Sequence, residues 1–170
     1  AVMILNGAPV IARVTISPDP ARTEDLLRCT AEEVVDPGGD ATTVTYRWLV
    51  NDEPIEPTTP TLGSDYFTLA DRVLCEAMAN DGEVDGAPVR SAETTIANTP
   101  PTLTEAFVQP VSPNQENELR CAVGEVVDPD PEHAMFLMTY TWTVNDVVLE
   151  GAEGETLDPS QFGRGDTVYC

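Results

Sequence analysis

Apolar and polar residues alternate along much of this chain, and apolar positions at helical spacing are nearly absent. Side chains of a strand point to opposite faces with period two, so this pattern predicts half-buried strands. Val44, Tyr46, Trp48 and Val50 share one face, with Thr43, Thr45 and Arg47 on the other. Leu27, Cys29 and Ala31 form another inward set, as do Val73, Cys75, Ala77 and Ala79. Downstream the same sets return as Leu119, Cys121 and Val123, then Met138, Tyr140, Trp142 and Val144, then Val168 and Cys170. Fifteen prolines and many Thr and Val residues oppose long helices. Several short strands separated by turn signals predict an all-β chain of antiparallel β-sandwiches.

The pattern is written twice. Cysteine, Val-Val-Asp-Pro, Tyr-x-Trp and Val-Asn-Asp follow one another from Cys29 to Asp52 and again from Cys121 to Asp146. Cys29 and Cys121 lie 92 positions apart, Trp48 and Trp142 94, and Cys75 and Cys170 95. A repeat of that length is a whole domain, so the 170 residues hold two. Each is small enough to profit from a covalent staple.

Charge narrows the functions. The chain has 30 acidic residues against 8 basic ones, all arginine, for a net charge of -22. Such a surface repels phosphates, which excludes nucleic acid and anionic lipid as partners. It suits a solvated surface working in high salt, where repulsion is screened, or one that collects divalent cations. The four cysteines fall one pair per repeat with no C-x-x-C, which favours two structural disulfides and an oxidising compartment over zinc. No apolar run approaches membrane-spanning length. With no leader at its start, the chain reads as a mature or excised piece.

The order cysteine strand, Trp strand, cysteine strand resembles the immunoglobulin fold, in which an inter-sheet disulfide packs on a Trp. A closer likeness is to tandem Ig-like or PKD-like (cadherin-like) repeats of bacterial extracellular surface or fibre proteins. Its elements are Val35 to Asp40, Tyr46 to Asn51, Asp81-Gly82 and the linker Asn98 to Pro101. The resemblance implies two tandem immunoglobulin-like antiparallel β-sandwich domains, the second incomplete at its C-terminus. It departs from the antibody pattern in having Val73 and Val168 where a tyrosine corner would stand. Strand A is expected near 9–17, B 25–34, C 42–50, a short C′ or D near 55–57, E 59–68, F 71–80 and G 87–97. The second domain should repeat A to F. Matched position and inward register pair Cys29 with Cys75 and Cys121 with Cys170. Closing such a loop contributes about 4 kcal/mol by chain entropy.

By the same register residues 1–5 are the end of a preceding repeat's last strand, 6–97 the first domain and 98–170 the second. The second domain then lacks the end of strand F and all of strand G. The expectation is that the continuing polypeptide, or else a neighbouring subunit, supplies the missing strand. The expected partners are therefore neighbouring repeats or identical subunits head-to-tail, with no nucleic acid and no membrane insertion in this segment.

Catalytic signals are weak. His133 is the single histidine, in an acidic loop, and no nucleophile elbow, H-E-x-x-H or phosphate loop is written. The expectation is a non-enzymatic chain with no catalytic residues. The loop after strand B carries Asp36 and Asp40 in one repeat and Asp128, Asp130 and Glu132 in the other. In an Ig-like sandwich this loop meets the F–G loop, with Asp81, Glu83 and Asp85, at the pole where the linker enters. Cadherin-like modules bind calcium at such a pole, so the resemblance implies calcium held by these acids with linker groups such as Asn98. A solvated turn whose aspartates cap their own backbone accounts for the same residues. Arg164-Gly165-Asp166 spells an integrin-binding tripeptide, but Asp166 also matches Asp71 at the start of strand F. These readings point to an extracellular structural module of a rod, stalk or filament. The alternative is an adhesin or carbohydrate-binding module, with Tyr66, Phe67, Phe107 and Phe162 as candidate aromatic contacts.

Overall fold

The computed structural model describes residues 2–3, 5–130 and 137–170. The chain divides into two compact units, 1–99 and 100–170. Both are all-β and sandwich-like, and their strand pairings are antiparallel apart from one isolated bridge.

The first unit contains β1 (Val10–Ser17), β2 (Leu27–Val35), β3 (Thr43–Val50), β4 (Glu53–Ile55), β5 (Thr61–Leu62), β6 (Arg72–Asn80), β7 (Val89–Arg90) and β8 (Thr94–Thr95). One sheet runs β1-β2-β5; the other runs β4-β3-β6-β7, with β8 also on β6. Alternation drives their packing. Trp48, Val73, Cys75, Ala77 and Ala79 are buried, and Arg47 and Glu76 face outward as an ion pair at 2.8 Å. Cys29 and Cys75 join the two sheets as a disulfide beside Trp48. The Trp48 indole N–H donates to the Thr59 carbonyl at 2.9 Å, which satisfies the one polar atom that its burial strands.

The second unit contains β9 (Thr102–Leu103), β10 (Ala106–Gln109), β11 (Leu119–Val123), β12 (Val126–Val127), β13 (Thr143–Val144), β14 (Val147–Val148), β15 (Thr156–Leu157) and β16 (Val168–Tyr169). The sheets β10-β11-β15 and β14-β13-β16 repeat β1-β2-β5 and β4-β3-β6, and β9 pairs with β12. Cys121 and Cys170 are bonded, Trp142 lies in the same core, and its indole N–H donates to the Gly154 carbonyl at 2.9 Å. Both disulfide pairings are thus those expected.

Three expected strands come out shorter. Strand E shrinks to β5, because Gly63 leads into a 3-10 turn at Ser64–Tyr66. Strand G is reduced to β7 and β8, with Ser91 between them donating its backbone N–H to the Cys75 carbonyl. In the second unit 138–142 form no strand, and β13 starts at Thr143. In the first unit Val44 to Arg47 pair with Glu76 to Ala79. In the second unit the matching ladder consists of Thr143 and Val144 against Tyr169 and Val168. Alternating burial persists through Tyr140 and Trp142 even without the ladder.

Candidate functional site

The repeated Val-Asn-Asp is a hairpin device. Asn51 and Asp52 link β3 to β4 with φ of 51° and 68°, and Asn145 and Asp146 link β13 to β14 with φ of 50° and 65°. A two-residue hairpin of this kind needs positive φ at both positions, which Asn and Asp tolerate better than other side-chain-bearing residues. Asn51 then reaches β6. Its amide donates to Asp71 Oδ1 at 2.7 Å, and its Oδ1 accepts from the Arg72 backbone N–H at 3.0 Å. Asn145 does the same with Asp166 at 2.8 Å and Thr167 at 3.0 Å. Partial burial pushes the Asp71 carboxyl up, but hydrogen bonds from Asn51 and from the backbone and hydroxyl of Thr68 outweigh it and leave the group below its ordinary value. Hydrogen bonds from Asn145 and the Gly163 backbone hold Asp166 low as well. Both oxygens of Asp166 are therefore engaged inside the fold, which accounts for the Arg-Gly-Asp writing structurally.

At the opposite ends of β3 and β6, three segments of the first unit meet. The linker enters at Asn6, the turn after β2 spans 36–40, and the β6–β7 hairpin spans 81–86. Asn6 donates its amide to Asp81 Oδ2 at 2.9 Å. Gly7 lies close to Pro37, so an added Cβ would stand 3.4 Å from that ring. Around Gly38, three side-chain oxygens converge. A Cβ there would sit 2.9 Å from Asp40 Oδ2, 3.0 Å from Asp36 Oδ1 and 3.6 Å from Asn6 Oδ1.

Most of this polar capacity caps the turns themselves. Asp36 Oδ1 accepts from the backbone N–H of Gly38 at 2.7 Å and of Asp40 at 3.0 Å. Asp81 Oδ1 accepts from Val84 and Glu83 backbone N–H groups, and these bonds hold its carboxyl below the ordinary value. One atom is left over: Asp36 Oδ2 is sealed from solvent with no hydrogen-bond partner among the described residues. A buried, unpaired carboxylate oxygen is costly, and a cation is one way to satisfy it. Calcium takes six to eight oxygens, so Asn6, Asp36 and Asp40 would supply part of a shell completed by carbonyls or water. Among the described residues, no three acidic, Cys or His side chains are grouped as a metal-ligand set.

The second unit repeats the turn in outline. The Asp130 backbone N–H donates to Asp128 Oδ1 at 2.9 Å, as Gly38 does to Asp36, and Asp130 is buried. Glu132 and His133 lie outside the described residues. Asn98 serves the first unit: its carbonyl accepts from the Arg22 guanidinium, and its amide donates to the Thr99 carbonyl at 3.1 Å. The sequence reading expected the Asp36–Asp40 turn, the F–G loop and the entering linker at one pole, and in the first unit Asn6 lies against both the turn and the hairpin. It missed the Asn51–Asp71 clamp, although the recurrence of Val-Asn-Asp was the signal for it.

No helix among the described residues is long and apolar enough to cross a membrane. In comparisons with known proteins, the chain matches no protein-family model, no curated protein and no solved structure.

Proposed function

We propose that the chain is a structural repeat module of an extracellular rod, stalk or filament, built from tandem immunoglobulin-like domains and without enzymatic activity. The observation that carries this reading is the repetition of internal fixings. Each unit has an inter-sheet disulfide, a fully buried Trp donating to a backbone carbonyl, and an Asn–Asp clamp under a two-residue hairpin. These residues hold a core together and leave little chemistry on the surface. Disulfides suit an oxidising compartment, and the acidic surface suits a hydrated exterior. Trp48 and Trp142 are 0% exposed, so neither offers a platform for a sugar ring, which weighs against a carbohydrate-binding module.

Proline-bearing linkers such as Asn98 to Pro101 are semi-rigid spacers, which suits a rod. Calcium at the acidic pole stiffens the entry of the linker, and the unpaired Asp36 Oδ2 supports that assignment. Small-angle X-ray scattering of the dilute protein tests the rod. An extended profile of two beads is expected; a compact profile overturns it.

A further inference from the structure

In the first unit β3 is longer than the strand beside it. Backbone groups along a strand turn alternately to its two edges. The Asn51 N–H turns to β6, where it donates to the Arg72 carbonyl at 2.8 Å. By that parity the odd-numbered residues of β3 face β6, and Val44, Tyr46, Trp48 and Val50 aim their N–H and C=O groups at the opposite edge. On that edge β4 pairs with Trp48 to Val50 alone. Among the described residues, no strand lies beside Val44 and Tyr46 there. Instead a recess of about 790 Å³ opens along the edge, lined in part by Val44, Tyr46, Arg47, Ile55 and Thr58. The second unit keeps a smaller one of about 360 Å³ at the matching place, beside Tyr140, Thr141, Leu149 and Glu150.

The open stretch lacks the devices that guard the other edges. Charge, proline and brevity all discourage an edge from pairing with another chain. β4 carries Glu53 and Pro54, β5 has two residues and follows Pro60, and β1 has β7 packed against it. Thr43 to Arg47 reads Thr-Val-Thr-Tyr-Arg, with no proline and no glycine. In a chain with 30 acidic residues, none falls between Asp40 and Asp52. The one charge in the stretch, Arg47, is held by Glu76 at 2.8 Å on the outward face. This edge is therefore where a second copy of so acidic a molecule can approach without bringing carboxylates together.

The stretch also complements itself. Turned about a two-fold axis at Thr45, it meets its own copy antiparallel, with Val44 opposite Tyr46, Thr45 opposite Thr45 and Thr43 opposite Arg47. Val44 and Tyr46 then exchange the backbone hydrogen bonds that each aims outward, and an aromatic side chain lies beside a β-branched one, a favourable cross-strand pair. An axis at Tyr46 would need Trp48, which β4 already pairs. An axis at Val44 would need Thr42, which lies outside the strand.

We propose that two copies of this chain pair laterally through the open edge of β3, antiparallel about a two-fold axis at Thr45. Backbone hydrogen bonds supply affinity in such strand addition, and the facing side chains supply register. The contact is isologous, so it closes as a dimer and leaves the ends of each module free. The inference goes beyond the repeat-module reading and does not rest on it, because the scattering profile of dilute, unpaired chains tests that reading separately.

Cross-linking tests it with the whole chain, in a glutathione buffer that spares the native disulfides. Thr43, Thr45 and Arg47 are all exposed. Thr45→Cys should give a disulfide-linked dimer. Thr43→Cys alone should not, but mixed with Arg47→Cys chains it should. Sedimentation of two glutamate variants supplies the second arm. Thr43 and Thr45 each spend one hydroxyl on a β6 carbonyl, at 3.4 Å and 3.3 Å, so the two variants are matched in cost to the fold and in net charge. Thr45→Glu sets like charges directly opposite and should weaken self-association about threefold or more. Thr43→Glu meets Arg47 of the second copy and should not weaken it. Sodium chloride should strengthen the pairing by screening the two acidic bodies. Absence of the Thr45→Cys dimer, equal cross-linking by Thr43→Cys and Thr45→Cys, equal effects of the two glutamates, or a monomer up to about 1 mM overturns the proposal.

Discussion

Asn51 does two jobs, and substitution separates them. Its backbone holds positive φ in the hairpin, and its side chain locks Asp71 and Arg72. Asn51→Gly keeps the backbone freedom and loses the lock; Asn51→Ala loses both. Expected losses in denaturant unfolding are about 1–2 kcal/mol for Gly and about 1 kcal/mol more for Ala. Equal losses would show that the left-handed backbone costs nothing here. Acid should act on the same clamp. The carboxyls of Asp71 and Asp166 lie below their ordinary value in the folded state, so the unfolded chain binds protons more readily. Their contribution is complete above the ordinary aspartate value and is lost as pH falls through the lower folded value. Thermal melts should therefore hold level near neutrality and drop below about pH 4, and Asp71→Asn should flatten that drop.

At the level of elements, the β6–β7 hairpin is locked onto the start of β1. Gly86 donates its N–H to the Ala79 carbonyl at 2.8 Å, and an added Cβ there would overlap the Pro9 carbonyl oxygen. The obstacle is backbone on an inward approach, so no rotamer change relieves it. Gly86→Ala should cost about 1–3 kcal/mol in denaturant unfolding. Gly63→Ala is the control, since nothing lies within 4 Å of its added Cβ and its φ is -78°. That change should stay within about 0.5 kcal/mol. A silent Gly86→Ala would mean that β1 and the hairpin are not rigidly docked.

Taken whole, the molecule sets a net charge of -22 against six arginine–carboxylate pairs among the described residues. Exposed pairs of this type contribute about 0–1 kcal/mol each, so self-repulsion should dominate the response to salt. Melting temperature should rise with sodium chloride as the repulsion is screened. Calcium at fixed ionic strength should raise it further, and chelator should reverse that increment. Asp36→Asn with Asp40→Asn should reduce the calcium increment while leaving the sodium response. An increment unchanged by those substitutions would make the acids turn caps alone.

Alternation and repetition carried a large part of this fold in the sequence. Inward faces of Cys29, Trp48 and Cys75, the second set at Cys121, Trp142 and Cys170, and both disulfide partners follow from period-two burial, which is local and needs only the order of residues. Strand length was not legible in the same way. A strand exists only where a partner answers its hydrogen bonds, so 138–142 keep their alternation without forming a ladder, and the stretch read as strand E turns into a 3-10 element after Thr61–Leu62. The polar contacts were the least visible. Asn51 and Asp71 lie 20 residues apart and Asn6 and Asp81 lie 75 apart; the pairing of β3 with β6 brings the first two within hydrogen-bonding distance, and the packing of the two sheets brings together the second. Sequence therefore set which faces are apolar and where the covalent staples fall. Tertiary structure decided which polar groups meet, because those meetings depend on long-range register that period-two patterning does not encode.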